Sequence, residues 1–395
     1  MRAVEVIVVA DACVDDTEEQ VQSLIGRTPY TLRVISHTAR SAALTRQVGA
    51  QAAQAPTLLF LDDDIAATSG LVRGHLEAPA PHRVGWGYSR PAPLRQASRW
   101  QRDAYRWWED TFTTFSRPGH RFSYRDFFSG NVSMPADVFW AVGGFDSTFT
   151  GRLEDYELGY RLLKAGAAFV FAPAAVGDHY DQTDLVQWQR RIRQEGVADV
   201  QIARRHPELS NYIFARLYHP SPLGRLIRWL AFAAPQYGER LEPIILAAID
   251  VCERFKLRYR WHQLVRTLRD YNYFCGVAAM LGSRDAYKRW IGEAPQRQRL
   301  AVDAPAIDLA ALPVGPAYEE LFTIATQKGA VIELAGVPLL ALPPQPGAEP
   351  LRIEHVRETV RTIAHQRYCP ALALGMARQQ AAQSPALSVH DQRGE

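Results

Sequence analysis

Three groups of side chains in this sequence have types and spacings that could do chemistry together. The first is Asp62-Asp63-Asp64, directly after the apolar run Thr57–Leu61. Three adjacent carboxylates repel one another, and a divalent cation relieves the repulsion. Oxygen ligands of this kind suit Mg²⁺ or Mn²⁺, which can bridge onward to a diphosphate. A solvated acidic loop is the plainer reading, but the position at the end of an apolar strand favours the metal. The second group is Glu154-Asp155-Tyr156-Glu157, opening a helix. The helix dipole accounts for one or two acids in a first turn. Three exceed what a cap needs, and one could be a general base whose pKa is raised by burial and a like-charged neighbour. The third is His179 in the run GDHYD. A lone histidine is more often structural, yet imidazole beside carboxylates would tilt a site slightly from Mg²⁺ towards Mn²⁺.

The elements around these groups alternate. Val4–Val9 is a short β-branched run, the mark of a buried parallel strand. A helix over 17–25, a strand over 32–35, a helix over 39–55 and the strand 57–61 follow. This spacing predicts an α/β fold with a doubly wound, mostly parallel sheet, in which ligands sit at the carboxyl ends of strands. Both Asp11/Asp15/Asp16 and Asp62–Asp64 fall at such ends. Residues 86–128 are aromatic and Arg-rich and read as a helix then a loop across the sheet; 128–134 reads as a strand entering a turn. Helices are expected over 136–142 and 154–166, with a strand over 168–172. The expected organisation is an α/β domain over 1–185, a helical region over 186–298, a small α/β unit over 299–380 with a hairpin over 331–342, and a disordered tail over 381–395.

Composition narrows the function. The chain has 395 residues, 45 Lys+Arg against 42 Asp+Glu, and a formal charge of +3. That balance does not fit a nucleic-acid binder, which would carry a strongly basic domain. Four scattered cysteines form no CxxC pair, which excludes a zinc ribbon and fits a reducing, cytoplasmic compartment. The start MRAVEVIVVAD does not read as a signal peptide, and no run approaches the ~20 apolar residues of a membrane span. The expected place is the cytoplasm, with at most a peripheral contact at the inner face of the cell membrane.

Four stretches together resemble family 2 glycosyltransferases of the GT-A fold. VIVVADACVDDT matches the family's strand followed by D-G-S-x-D-G-T, TRQVG its R-N-x-G, and LLFLDDDI its DxD segment. The most specific is GNVSMPADVFWAVGGFDSTFTGRLEDYELGYRLLKAG, which matches the acceptor-side block. The resemblance covers about residues 4–185 and begins at what should be the second strand. The family's first strand and helix are not in this sequence, and the absent strand is central, so two sheet edges should stand open. Ala12 and Gln47 stand where the family usually has Gly and Asn.

The resemblance implies an inverting, metal-dependent transferase that moves a sugar from a nucleotide-sugar donor, a UDP-sugar foremost, to a hydroxyl of a glycan or lipid-linked acceptor in cell-surface glycan synthesis. Asp11, Asp15 and Arg46 would lie at the nucleotide, and Asp62 and Asp63 on the donor side. Asp64 and His179 would hold Mn²⁺ or Mg²⁺. Asp155, with Glu154 beside it, would take the acceptor proton. A nucleotidyltransferase is the first rival, but no basic phosphate-gripping loop is visible near the start. A catalytically inactive sugar-nucleotide-binding or scaffold protein is the second. Two further segments have plain readings as well as sharper ones. Arg190, Arg191, Arg193, Arg204 and Arg205 form a solvated helix face or meet anionic headgroups; the aromatic stretch 100–115 packs the core or lines an acceptor groove.

Overall fold

The computed structural model describes residues 4–77, 82–93, 97–149, 151–214, 221–293, 300–364 and 369–383. They fall into two compact units, the first built from 1–116, 122–297 and 347–349, the second from the remainder.

The first unit begins with β1 (Glu5–Asp11), α1 (Thr17–Leu24), β2 (Thr31–His37) and α2 (Ala42–Ala52). β1 and β2 pair in parallel from Glu5↔Thr31 to Asp11↔His37 and form a two-stranded sheet of their own. Next come β3 (Thr57–Leu61), β4 (Ile65–Ala67), α3 (Leu71–Glu77), β5 (Arg83–Pro91) and α4 (Arg99–Phe115). Then β6 (Asn131–Pro135), α5 (Ala136–Ala141), α6 (Glu154–Lys164) and β7 (Ala168–His179) complete a five-stranded sheet in the order β3-β6-β5-β7-β4. β5 and β7 run parallel, while β3–β6, β5–β6 and β4–β7 are antiparallel, so β3, β5 and β7 share one direction. Among the described residues β1, β2, β3 and β4 each keep one edge without a strand partner.

The α/β class stands, with two strands more than the sequence revealed, the short β4 and β5. β5 occupies 83–91, where a helix or loop was expected from residue 86. Its run RVGWGYSRP carries two glycines, which lower strand propensity. Gly87 is there for packing: a Cβ would strike the Asn131 side chain and the Ala175 carbonyl. At 128–134 the turn precedes the strand rather than following it. The core of this sheet is aromatic. Trp86 is 1% exposed, stacks on Phe122 at 5.1 Å and meets Phe169 edge-on at 4.7 Å. Phe112 and Phe115 of α4 are buried in the same cluster, so part of the aromatic stretch is core, while Trp107 is half exposed.

The helical region follows as α7 (Leu185–Arg205), α8 (Ser210–Phe214), α9 (Pro222–Ala233), α10 (Pro235–Arg254), α11 (Arg258–Leu281) and α12 (Arg284–Glu293). It belongs to the same compact unit as the sheet. α7 and α11 approach backbone to backbone: a Cβ at Gly196 would strike the Tyr273 carbonyl, and one at Gly276 the Arg193 carbonyl.

The second unit contains β8 (Ala306–Asp308), α13 (Pro316–Lys328), β9 (Ala330–Leu334), β10 (Val337–Leu342), α14 (Ile353–Thr359) and α15 (Cys369–Gln383). β9 and β10 form the expected hairpin, and β8 adds in parallel to β9. The Asp308 carboxylate accepts from the Ala335 and Gly336 amides at 2.9 Å, fixing a turn in which both residues have positive φ. Ile307, Phe322, Ile332 and Val356 make the core of this unit. Of the expected disordered tail, 384–395 lies outside the described residues. Among those described, no helix is long and apolar enough to cross a membrane.

Candidate active site

The site is built where β3 ends and α6 begins. Asp62 leaves β3 and is held at its backbone by an N–H donated to the Gly130 carbonyl at 2.9 Å. Gly130 also makes room for the side chain, since a Cβ there would lie 2.6 Å from Asp62 Oδ2. Asp64 precedes β4, whose pairing with β7 sets Ile65 opposite His179. That register, with the Tyr180 N–H donated to the Asp64 carbonyl at 2.8 Å, brings His179 Nε2 to 3.4 Å from Asp64 Oδ2. The histidine side chain is 11% exposed and the aspartate 45%. The hydrogen bond to His179 holds the Asp64 pKa below the usual carboxylate range. Burial works against charge on His179, but Asp64 outweighs it and pushes the imidazole pKa up. Trp108 of α4 meets the His179 ring edge-on at 5.3 Å. Beside it a cleft is lined by Gln101, Tyr105, Trp108, Asp181 and Thr183.

The acids of α6 follow Leu153, which sits at φ 64, a left-handed backbone that leucine rarely adopts. Glu154 is buried and Asp155 half-buried. Asp155 Oδ1 accepts from the Tyr156 amide at 2.8 Å. Burial first, and the neighbouring Glu154 charge second, push the Asp155 pKa up to about 7. Glu157 does something else. It is fully buried, chelated by Arg161 at 2.6–3.0 Å and approached by His206 at 3.0 Å. Burial opposes its charge, and these partners more than offset that, holding its pKa low. It ties α6 to the end of α7 and is a structural acid.

One residue joins the two acidic groups. Arg46, on α2, donates from Nη2 to Asp62 Oδ1 at 2.6 Å and from Nη1 to Glu154 Oε1 at 2.8 Å. Asp62 after β3 and Glu154 at the start of α6, over 90 residues apart in the chain, are therefore held side by side. Burial disfavours the guanidinium charge, but Asp62 and Glu154 outweigh it and raise the Arg46 pKa. Arg46 is placed in turn by Asp11, which accepts from the Arg40 and Ser41 amides at 2.9 and 3.0 Å and the Thr45 hydroxyl at 2.7 Å. Asp11 thus anchors the start of α2 rather than presenting free oxygens. Asp15 caps the Thr17 amide at 3.2 Å on the surface, away from these ion pairs. Asp63 is exposed and makes no side-chain hydrogen bond or ion pair among the described residues. The part played by Gly130 escaped the sequence reading, as did the role of Gln47, whose Oε1 accepts from the Phe145 amide at 2.9 Å and fixes the loop leading to α6.

Asp64 and His179 are a fitting but partial donor set for a divalent cation. Among the described residues no cluster of three or more His, Cys, Asp or Glu side chains could hold a metal.

Residues 2–141 match glycosyl transferase family 2. Residues 110–183 also match the galactosyltransferase domain described as N-terminal. The chain is 28% identical over 281 residues to validoxylamine A glucosyltransferase of Streptomyces hygroscopicus subsp. jinggangensis, covering 62% of this chain and 65% of that protein. It is 30% identical over 112 residues to pre-mycofactocin glycosyltransferase of Mycobacterium tuberculosis, covering 27% and 22%. The chain thus spans just under two thirds of the first relative. Among solved structures, a mannosyltransferase from Pyrobaculum calidifontis in complex with GDP-Man and Mn²⁺ is 14% identical over 70% of this chain and 76% of that one, with a TM-score of 0.42.

Proposed function

We propose that the chain is a glycosyltransferase on a GT-A-like scaffold, transferring a sugar from a nucleotide-sugar donor, a UDP-sugar foremost, to a hydroxyl acceptor with inversion. The observation that supports this most is the double ion pair of Arg46, which links Asp62 to Glu154, the neighbour of Asp155. Asp64 and His179 would hold Mn²⁺ or Mg²⁺. When bound, the cation supplies electrostatic stabilisation of the charge that develops on the departing diphosphate.

The chain's own groups do the rest. Arg46 holds Asp62 against the donor side and pairs with Glu154 next to the base. Asp155 accepts the proton of the acceptor hydroxyl as its oxygen attacks the anomeric carbon from the face opposite the leaving diphosphate. A single in-line displacement of this kind inverts that carbon. A pKa near 7 suits a base that must be ionised at neutral pH yet still strong enough to take a proton. The rings of α4 beside His179 offer flat apolar faces on which an acceptor sugar can stack. A cytoplasmic place and a glycan or lipid-linked acceptor complete the reading.

The test is transfer by Asp155→Asn, assayed with a panel of nucleotide sugars and Mn²⁺ or Mg²⁺. Wild-type protein should transfer or hydrolyse at least one donor, and the variant should lose about 10³-fold in kcat, within the range of general-base removal. Transfer at the wild-type rate by the variant would overturn the assignment of the base.

A further inference from the structure

The exposed large apolar side chains of the first unit concentrate between Leu223 and Tyr259. α10 has two apolar faces. One, with Gly238, Ile245, Ile249 and Cys252, packs against Trp261, Val265 and Leu268 of α11. The other points outward. At about 100° per residue, Tyr237, Leu241, Ile244, Ala248, Val251 and Phe255 fall within an arc of about 80°. Tyr237 is 54% exposed, Ile244 63% and Phe255 72%. A solvent-facing helix surface is normally polar, so a continuous apolar stripe of this length marks a contact surface.

The charges around the stripe say what it contacts. On the same wheel Arg240 borders it, while Glu239 and Glu253 lie on the far side, as does Asp250, which pairs with Arg254 at 2.9 Å. The stripe runs into the turn Arg254-Phe-Lys-Leu-Arg-Tyr-Arg260, in which every residue is exposed and cations alternate with apolar groups. α9, packed against α10, adds the half-exposed Trp229. An apolar stripe edged by Lys and Arg, with Trp and Tyr near its ends, has the make-up of an interfacial helix that sinks its apolar side chains among headgroups and pairs its cations with anionic lipid.

We infer that α10 and the following turn form a docking surface for an anionic lipid bilayer. No helix of the described residues spans a membrane, so the contact is peripheral. The inference requires no transferase activity and stands or falls apart from the proposed reaction.

The experiment is flotation of the full chain with phosphatidylcholine vesicles, with and without phosphatidylglycerol. Binding should require phosphatidylglycerol, weaken with salt, and shift Trp fluorescence to the blue. Lys256→Gln and Arg258→Gln should each weaken partitioning about fivefold, the loss expected for one surface cation. Ile244→Ser with Phe255→Ser should weaken it at least as much; these four side chains are exposed, so the fold survives their replacement. Absence of binding to anionic vesicles, or equal binding by all variants, would overturn the inference. So would a self-associated chain in sedimentation that Phe255→Ser returns to a monomer, because the stripe would then be covered by a second copy.

Discussion

Asp155 and Glu157 sit two residues apart on one helix and have opposite fates. Glu157 meets Arg161 and His206 and stays ionised; Asp155 has burial and a like charge for company, and its pKa rises to about 7. A raised base pKa means that activity is absent while the carboxyl holds its proton and appears as it ionises. The log of kcat/KM should therefore rise with unit slope below about pH 7 and level off above it. A pH-rate profile checks this; a flat profile from pH 5 to 8 would remove Asp155 from the role. Gly130 gives a second prediction at this scale. Gly130→Ala places a methyl group against Asp62 Oδ2, so Asp62 must leave Arg46. Donor affinity should fall about tenfold, the equivalent of about 1.4 kcal/mol, measured by calorimetry, with the fold retained by circular dichroism. All the acids that matter here were legible in the sequence, because adjacent carboxylates at element ends are conspicuous. The link between them was not. Arg46 and Glu154 are 108 positions apart, and nothing local in a single sequence announces such a pair.

At the level of elements, what the sequence displayed was β-branched runs, acidic helix starts and the hairpin of the second unit. It hid β5, whose two glycines weaken the strand signal and whose need for them lies in Asn131 and Ala175, far along the chain. It also hid the strained start of α6. Leu153 holds a positive φ so that Glu154 and Asp155 enter the cleft together. Leu153→Gly should relieve about 1 kcal/mol of backbone strain while losing the packing of a buried side chain and loosening the start of α6. The expected signature is kcat lowered several-fold with KM little changed; an unchanged kcat would show that the conformation does not position the acids. The helices make a firmer prediction. A methyl group at Gly276 meets the Arg193 carbonyl across the α7–α11 contact, and neither backbone can yield cheaply. Gly276→Ala should cost about 2–3 kcal/mol, in the range of overpacked cores, read from urea denaturation.

For the whole molecule, the sheet in two pieces sets where stability lies. β5 is mostly buried around Trp86 and β7 is paired on both sides, whereas most of β1 is only half-buried and, among the described residues, has a strand partner on one side alone. Amide hydrogens of β5 and β7 should exchange most slowly and those of β1 markedly faster, since protection follows burial and pairing; uniform protection by mass spectrometry would contradict this. The cleft nevertheless draws on both pieces, because Asp11 at the end of β1 fixes α2, and α2 carries Arg46 to Asp62 and Glu154. The central claim is that this one cleft has two sides with separate tasks, donor on one and proton removal on the other. Titration of a UDP-sugar into Asp64→Ala and Asp155→Asn in the presence of Mn²⁺ tests it most directly. Asp64→Ala should lose metal-dependent donor binding, while Asp155→Asn binds donor as the wild type does and transfers nothing; equal donor affinity in both variants, or equal loss in both, would contradict the division.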